Sequence, residues 1–330
     1  MIKFIFSLDY EIYGNGQGSL IRLVYEPARK LMELFRKHNV RFVSFTEVAE
    51  LEMIELMGTD SAIDLVKSQI RELYNDGFEL GLHLHPQWYN GRYEHGAWRL
   101  DCDEYNLCTL PQERIVEIVD RAIGYLRNLV IDKNYVPLSF RAGNWLFQPA
   151  RATASVLASR GIRVDSSVFK GGLRHELGLD YRRALRNGYY WKFSERVDIP
   201  DPDGALLEIP IYTQMVPLWR MFNAKRIELE RKGSSGQTSS QRYHRVRDLL
   251  RIRHPYKIDF CRLNKEELTR IVDDVILEDQ WDSSTIKPIV SIGHTKELDD
   301  LETVEYLLSY LKDRGICIST FQDVYRDCVG

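Results

Sequence analysis

The segment IKFIFSLDYE, residues 2–11, decides the fold, because its apolar run is followed by two acids. A strand that is apolar at nearly every position is typical of a parallel sheet covered on both faces. The segment PIVSIG, residues 288–293, has the same character near the other end of the chain. We therefore expect an α/β fold with a parallel sheet at its centre.

Short β-type runs alternate with amphipathic stretches along the chain. The pattern predicts strands at residues 2–8, 40–45, 78–84, 138–142, 162–166, 206–210, 289–293 and 316–320. It predicts helices at residues 26–38, 61–76, 112–130, 148–160, 265–279 and 299–314. So many strands in one chain favour a (β/α) barrel over an open doubly wound sheet, which is the alternative.

The composition limits the class of protein. The chain has 330 residues, 44% of them hydrophobic, with 45 Lys and Arg against 48 Asp and Glu. These values suit a soluble protein with a sizeable core, and the balanced charge argues against nucleic-acid binding by bulk electrostatics. No stretch approaches the roughly 18 apolar residues of a membrane span, and the first residues do not resemble a signal peptide. Five scattered cysteines without a CxxC pair suit reduced thiols, so we expect a cytoplasmic protein.

Polar side chains stand where several predicted strands end. In a parallel barrel these carboxyl ends meet on one face, where catalytic residues gather. The first strand leads into Asp9 and Glu11, and the third ends in His83 and His85. Residues two apart in extended chain share a face at roughly 6.6 Å, so the two imidazoles can converge on one divalent ion. Two interpretations compete with a catalytic or metal-binding site. The two acids could simply cap the next helix, and one histidine could be buried and hydrogen-bonded while the other is exposed.

Two further strands end in side chains that could take part in the same chemistry. Arg141 emerges from a buried strand and needs a carboxylate partner, for which Asp9 is the obvious candidate. His294 can act as a general acid, since imidazole titrates near neutral pH. A structural ion pair and a histidine that caps the following helix are the competing interpretations.

In this order, these segments resemble the motifs of the polysaccharide deacetylases, carbohydrate esterase family four with the NodB homology domain. The resemblance is closest to the bacterial surface-polysaccharide branch called WalW or WbmS-like. It runs from SLDYE at residue 7 to ICIST at residues 316–320. It implies a single domain over residues 1–330 with a distorted (β/α)7-type, TIM-barrel-like fold. It also implies a divalent metal, usually zinc, and removal of an N-acetyl group from an amino sugar.

The resemblance assigns the catalytic roles by position. It makes Asp9 the base that activates water, Arg141 the residue that orients this base, and His294 the acid that protonates the leaving amine.

The metal ligands implied by the resemblance are Glu11 and His83. The family's second metal histidine falls at Gln87, in the segment HLHPQW. Either His85 is the second imidazole ligand, which we favour, or Gln87 supplies a weaker amide oxygen, or the metal is bound poorly or not at all.

The remaining candidates would contact substrate. Backbone N–H groups at Gly143 and Asn144 could stabilise an oxyanion, and aromatic rings could stack on sugar or simply pack in the core. The full set of substrate-binding candidates is Gly143, Asn144, Trp145, Trp88, Asp165 and Lys296.

Residues 220–257 form a basic segment, with eleven Lys or Arg and three acids, around the polar sequence GSSGQTSS. We expect a partly flexible insertion, which is either simply solvated or meets phosphate or the inner membrane surface. The expected function is metal-dependent N-deacylation of a nucleotide- or lipid-linked amino sugar in lipopolysaccharide (O-antigen) or capsule biosynthesis. A non-catalytic saccharide-binding protein, and deformylation or amide transfer on a sugar, are the alternatives.

Overall fold

The computed structural model describes residues 1–233 and 251–329. Its main sheet is built from short strands that alternate with helices. In chain order the strands are β1 Ile2–Tyr10, β2 Val43–Glu47, β3 Glu79–Leu84, β4 Ser139–Ala142, β5 Val164–Asp165, β6 Trp191–Phe193, β7 Leu206–Glu208, β8 Lys287–His294 and β9 Cys317–Ser319.

The strand order across the sheet is β6, β7, β5, β4, β3, β2, β1 and β8, and β9 also pairs with β1. The pairings are parallel, apart from the antiparallel pair of β6 with β7. Isolated bridges of Ile211 with Phe169 and with Val290 lie between the two sides of the curled sheet. The predicted α/β fold of barrel type is therefore confirmed, in a distorted and incompletely paired form.

Helices cover the sheet. They are α1 Glu26–Lys37, α2 Val48–Met57, α3 Ile63–Asn75, α4 Gln112–Val130, α5 Arg151–Ser159, α6 Ala224–Gly233, α7 Lys265–Trp281, α8 Leu301–Asp313 and α9 Phe321–Val329. Helix α4 has the bounds that its apolar period predicts. Helix α2 was not predicted, because it is buried around most of its circumference and its sequence lacks a polar face.

Only part of the basic segment belongs to the described residues. The predicted insertion at 220–257 includes residues 234–250, which lie outside the described ranges. On its described flanks, α6 precedes the gap, and the strand His254–Lys257 pairs antiparallel with Thr213–Val216. No described helix has the length and apolar character needed to span a bilayer.

The register of the parallel strands brings the candidate residues to one edge. Asp9 on β1 is the partner of His294 on β8. His83 on β3 is the partner of Glu47 on one side and of Arg141 on the other. Because parallel strands place their carboxyl ends together, five strands contribute polar side chains to the same face of the sheet.

Candidate active site

Asp9 and Arg141 form a buried ion pair at the centre of this face. Arg141 Nη1 lies 2.6 Å from Asp9 Oδ1, and Nη2 donates a hydrogen bond of 2.9 Å to Ser7 Oγ. Nε donates to the Ser166 carbonyl oxygen at 2.9 Å, and the guanidinium stacks 4.0 Å from the ring centroid of Phe45. Burial raises the pKa of Asp9, but the charges of Arg141, His83 and His294 together outweigh it, and the pKa falls below its usual value. Asp9 is therefore held ionised.

The ring of His294 lies against the other oxygen of Asp9. Its Nε2 is 3.5 Å from Asp9 Oδ2, and its Nδ1 is 3.7 Å from Glu297 Oε2. Burial lowers the pKa of His294, against the opposing charges of Glu297 and Asp9. Burial also acts to raise the pKa of Glu297, but the hydrogen bond and charge of Arg262, together with His294 and Lys296, outweigh burial and lower this pKa to about 2. The neutral ring of His294 thus lies between the carboxylates of Asp9 and Glu297. These two negative charges would stabilise the imidazolium that forms when the ring takes up a proton.

Glu11, His83 and His85 converge beside this group. Glu11 Oε2 lies 3.2 Å from His85 Nε2 and 3.6 Å from His83 Nε2. His83 Nδ1 is 2.8 Å from the Arg141 carbonyl oxygen, so Nδ1 carries a proton and Nε2 is the nitrogen that faces Glu11. The other oxygen of Glu11 is 2.7 Å from Lys296 Nζ. Burial raises the pKa of Glu11, but Lys296 and the two histidines outweigh it and leave this pKa well below its ordinary value.

Gln87 contacts the Nδ1 side of the His85 ring, whereas Glu11 faces the opposite nitrogen, Nε2. Its Nε2 is 3.3 Å from His85 Nδ1, and its buried Oε1 has no hydrogen-bond partner within the described part of the chain. A carboxamide can be turned by 180° with little change in shape, and then Oε1 accepts a hydrogen bond from His85 Nδ1–H. That orientation leaves the lone pair of His85 on Nε2, which faces Glu11. The geometry is compatible with His85 as the ligand, with its ring held at Nδ1 by the side-chain amides of Gln87 and Asn144, the latter at 3.2 Å.

These side chains fit a divalent cation. One ligand atom each of Glu11, Glu47, His83 and His85 lie within 4.8 Å of one another, and all four residues are buried. Imidazole and carboxylate together are the donor set of zinc and of other first-row divalent ions. Glu47 was missed in the sequence, because the predicted second strand stops at residue 45, whereas β2 continues to Glu47.

The turn after β4 forms one wall of the site. Only glycine fits at position 143, since a Cβ there would lie 2.6 Å from the Leu84 carbonyl oxygen. Asn144 and Trp145 both have positive φ, 55° and 60°, which presents the indole to the site. The Trp145 ring is edge-on to His294, with ring centroids 6.3 Å apart.

Lys257 lies against the same wall. Its Nζ is 3.4 Å from the centroid of the Trp145 ring and 5.0 Å from that of Phe169. Among the described residues no carboxylate forms an ion pair with it. Burial and the nearby charge of Arg174 keep the pKa of Lys257 well below its ordinary value.

The other predicted substrate contacts lie elsewhere. Trp88 is fully buried and packs against Trp98 at 4.9 Å between ring centroids, so it presents no ring face to a ligand. Asp165 is also fully buried and accepts a hydrogen bond from Ser167 Oγ at 2.7 Å. Lys296 is the ion-pair partner of Glu11.

The chain matches no protein-family model and no curated protein sequence. Among solved structures, it resembles a polysaccharide deacetylase described from Mycobacterium smegmatis, with 12% identity, a TM-score of 0.55, and coverage of 99% of this chain and 89% of the other. The chain has the fold of the polysaccharide deacetylases. A second such protein, from Pseudomonas aeruginosa, gives 14% identity, a TM-score of 0.51, and coverage of 98% and 90%.

The same fold also occurs in proteins with other activities. A branching enzyme from Pyrococcus horikoshii gives 11% identity, a TM-score of 0.56, and coverage of 98% of this chain and 70% of the other. At such low identity the likeness concerns the fold alone, and the side chains at the sheet edge must decide the chemistry.

Proposed function

We propose that this protein is a metal-dependent hydrolase of the polysaccharide deacetylase family, in its WalW or WbmS-like branch. It would remove an N-acyl group, most simply N-acetyl, from an amino sugar. One observation carries the proposal: the ionised Asp9, paired with Arg141 and flanked by His294, lies beside the cluster of Glu11 and the two histidines His83 and His85. A base, a proton carrier and a cation site are thus side by side.

Glu11, His83 and His85 would hold the cation, zinc being the usual one in the family. When bound, it supplies the Lewis acidity that polarises an amide carbonyl and makes water more acidic. The protein's own part begins at Asp9, whose free oxygen accepts a proton from the attacking water. Arg141 keeps Asp9 ionised and oriented until that moment.

The proton then has a short path to the leaving group. His294 Nε2 lies 3.5 Å from Asp9 Oδ2, so the neutral ring can collect the proton and deliver it to the departing amine. The carboxylate of Glu297 stabilises the imidazolium in between. Backbone N–H groups of the turn at Gly143 and Asn144 would stabilise the oxyanion that develops on the acyl oxygen.

The proposed substrate carries phosphate. Lys257 lies on the Trp145 ring at the wall of the site and forms no ion pair with a carboxylate among the described residues. A bound phosphate would favour its protonated form, against the burial that lowers its pKa, so the lysine and the aromatic face together suit a sugar joined to a phosphate group. We therefore propose a nucleotide- or lipid-linked amino sugar, and with it a cytoplasmic role in surface-polysaccharide biosynthesis. Residues 220–257 would provide any contact with the inner membrane.

The test is product analysis with the purified full chain. The protein is loaded with Zn²⁺ and given nucleoside-diphosphate-linked or polyprenyl-diphosphate-linked N-acetylhexosamines in separate reactions. Mass spectrometry should detect the free amine and acetate with one of these carriers, and the Asp9→Asn variant should form neither. Protein that binds no divalent ion and releases no acyl group from either carrier would refute the proposal.

A saccharide-binding protein without turnover is the second candidate. It is favoured by Gln87, which stands where the family has a metal histidine. A double variant, Asp9→Asn with His294→Ala, separates the two functions. Full complementation of a deletion strain by this variant would support binding over catalysis.

A further inference from the structure

Glu47 is the last residue of β2, and only one of its two carboxylate oxygens accepts hydrogen bonds of normal geometry within the described residues. Oε1 accepts hydrogen bonds from the backbone N–H groups of Ala49 at 3.2 Å and Glu50 at 3.4 Å, and so caps α2. Oε2 is buried and accepts no hydrogen bond of normal geometry within the described residues, although the backbone N–H of His85 interacts weakly with this carboxylate. The side chain as a whole has no exposure to solvent.

A buried carboxylate oxygen without a partner is costly, and native proteins rarely keep one unless it binds something. A helix cap alone does not explain it, because Oε1 already performs that role. The Glu47 carboxylate is close to the candidate metal ligands. One of its oxygen atoms lies within 4.8 Å of a ligand atom of each of Glu11, His83 and His85. The register places Glu47 directly beside His83 on the adjacent strand.

We propose that Glu47 is a direct ligand of the divalent cation, so that Glu11, Glu47, His83 and His85 form a four-donor site. This inference rests on the proposed metal-dependent function. Glu47, on β2, would then replace the metal histidine that the chain lacks at position 87. Gln87 then acts as a positioning residue that holds the His85 ring.

The donor set has a consequence for the ion. Two carboxylates cancel the charge of a divalent cation, and four protein ligands complete a tetrahedral shell. A substrate could reach the ion only if it accepted a fifth or sixth ligand. Turnover would therefore need an ion that can accept a further ligand, as Zn²⁺, Co²⁺ and Mn²⁺ all can.

The experiment compares two buried glutamates on the same segment. Glu47→Gln keeps an oxygen for the α2 cap but offers the cation a neutral and weaker donor. Glu50→Gln is the matched control, because Glu50 is equally buried, accepts a hydrogen bond from Ile12 N–H at 2.9 Å and stands outside the four-residue cluster. Burial raises the pKa of Glu50 well above its ordinary value, so glutamine imitates its protonated form.

Affinities for Mn²⁺, Co²⁺ and Zn²⁺ are measured on the full chain by competition with a chromophoric chelator, and the melting of each metal-free variant is recorded. We expect Glu47→Gln to weaken binding by more than about 100-fold, since loss of an outer-sphere partner alone costs about 10–100-fold. Glu50→Gln should bind like the wild type, and all three metal-free proteins should be folded. The absorption spectrum of the Co²⁺-loaded protein should change only in Glu47→Gln.

The outcomes separate the two proposals. If the wild type binds a divalent ion and Glu47→Gln loses less than about 100-fold, direct ligation by Glu47 is wrong while the proposed function stands. The same conclusion follows if Glu50→Gln loses as much affinity as Glu47→Gln. If the wild type binds no divalent ion, the metal-dependent function itself fails.

Discussion

Arg141 Nη1 lies 2.6 Å from Asp9 Oδ1, and neither side chain is reached by solvent to more than a few per cent. Each residue is the buried counter-charge of the other, although they belong to different strands. The pair therefore has two functions: it keeps the proposed base ionised, and it allows two charges to be buried at the edge of the sheet.

Removal of the arginine alone should destabilise the protein. We expect Arg141→Met to lower the free energy of unfolding by about 3–5 kcal/mol, because Asp9 remains buried without a counter-charge. Urea denaturation of the metal-free protein measures this loss. The double variant Asp9→Asn with Arg141→Met should be more stable than Arg141→Met alone; equal or greater loss in the double variant would contradict the pairing.

Removal of the proposed proton carrier should affect turnover and not folding. We expect His294→Gln to reduce kcat by about 10²–10⁴-fold, the usual contribution of general acid–base catalysis. Metal affinity and thermal melting should stay near the wild-type values. His38→Gln is the control, since His38 contacts Glu305 on the far helices and should leave kcat unchanged.

Lys257, which lies on the Trp145 ring, should govern recognition of phosphate. We expect Lys257→Met to raise KM about 10–100-fold for a diphosphate-linked substrate, because a hydrogen bond to a charged group contributes about 1.5–3 kcal/mol. KM for the free N-acetylated sugar should change little. Lys225→Met serves as the control, since Lys225 is paired with Asp300 at 2.9 Å. An equal rise in KM for both substrates with Lys257→Met would count against a phosphate contact.

Glu79, remote from the cation cluster, should make stability depend on pH. Its carboxylate is buried between Ser139 Oγ and the backbone N–H of Gln322, both at 2.8 Å, and burial raises its pKa from 4.5 to about 7. The folded state thus binds this proton more tightly than the unfolded chain does. This contribution is complete below pH 4.5 and is lost as the pH rises through about 7.

The variant Glu79→Gln isolates that contribution. Relative to the wild type, it should gain on the order of 3 kcal/mol between pH 4.5 and pH 8, as measured by urea denaturation at each pH. A stability difference between the two proteins that does not change with pH would show that Glu79 does not titrate in this range.

The sequence was most informative where local pattern and position agree. The apolar run before Asp9 predicts both a buried parallel strand and the edge at which its acid emerges, and the same holds for His294. Helix α4 could be predicted because one face is apolar and the other polar over its whole length. Asp9 and His294, at the ends of these strands, are also residue types that commonly act as a general base and a general acid.

What could not be predicted depends on tertiary contacts. Glu47 looks like an ordinary acid at the start of a helix until the register places it beside His83. For Trp88 the sequence allows either stacking on sugar or packing in the core, and the short turn that starts at Pro86 directs it into the core. The orphaned oxygen of Gln87 has no signature in the sequence at all.

The pairing of β1 with β8 also affects how the protein can be made. Asp9 leaves the ribosome well before its neighbour His294, which follows it 285 residues later in the chain. Until then, one edge of β1 has no partner along most of its length, and an apolar strand with free backbone groups is prone to aggregate. Any product that ends before residue 287 lacks β8, and with it both the partner of β1 and His294.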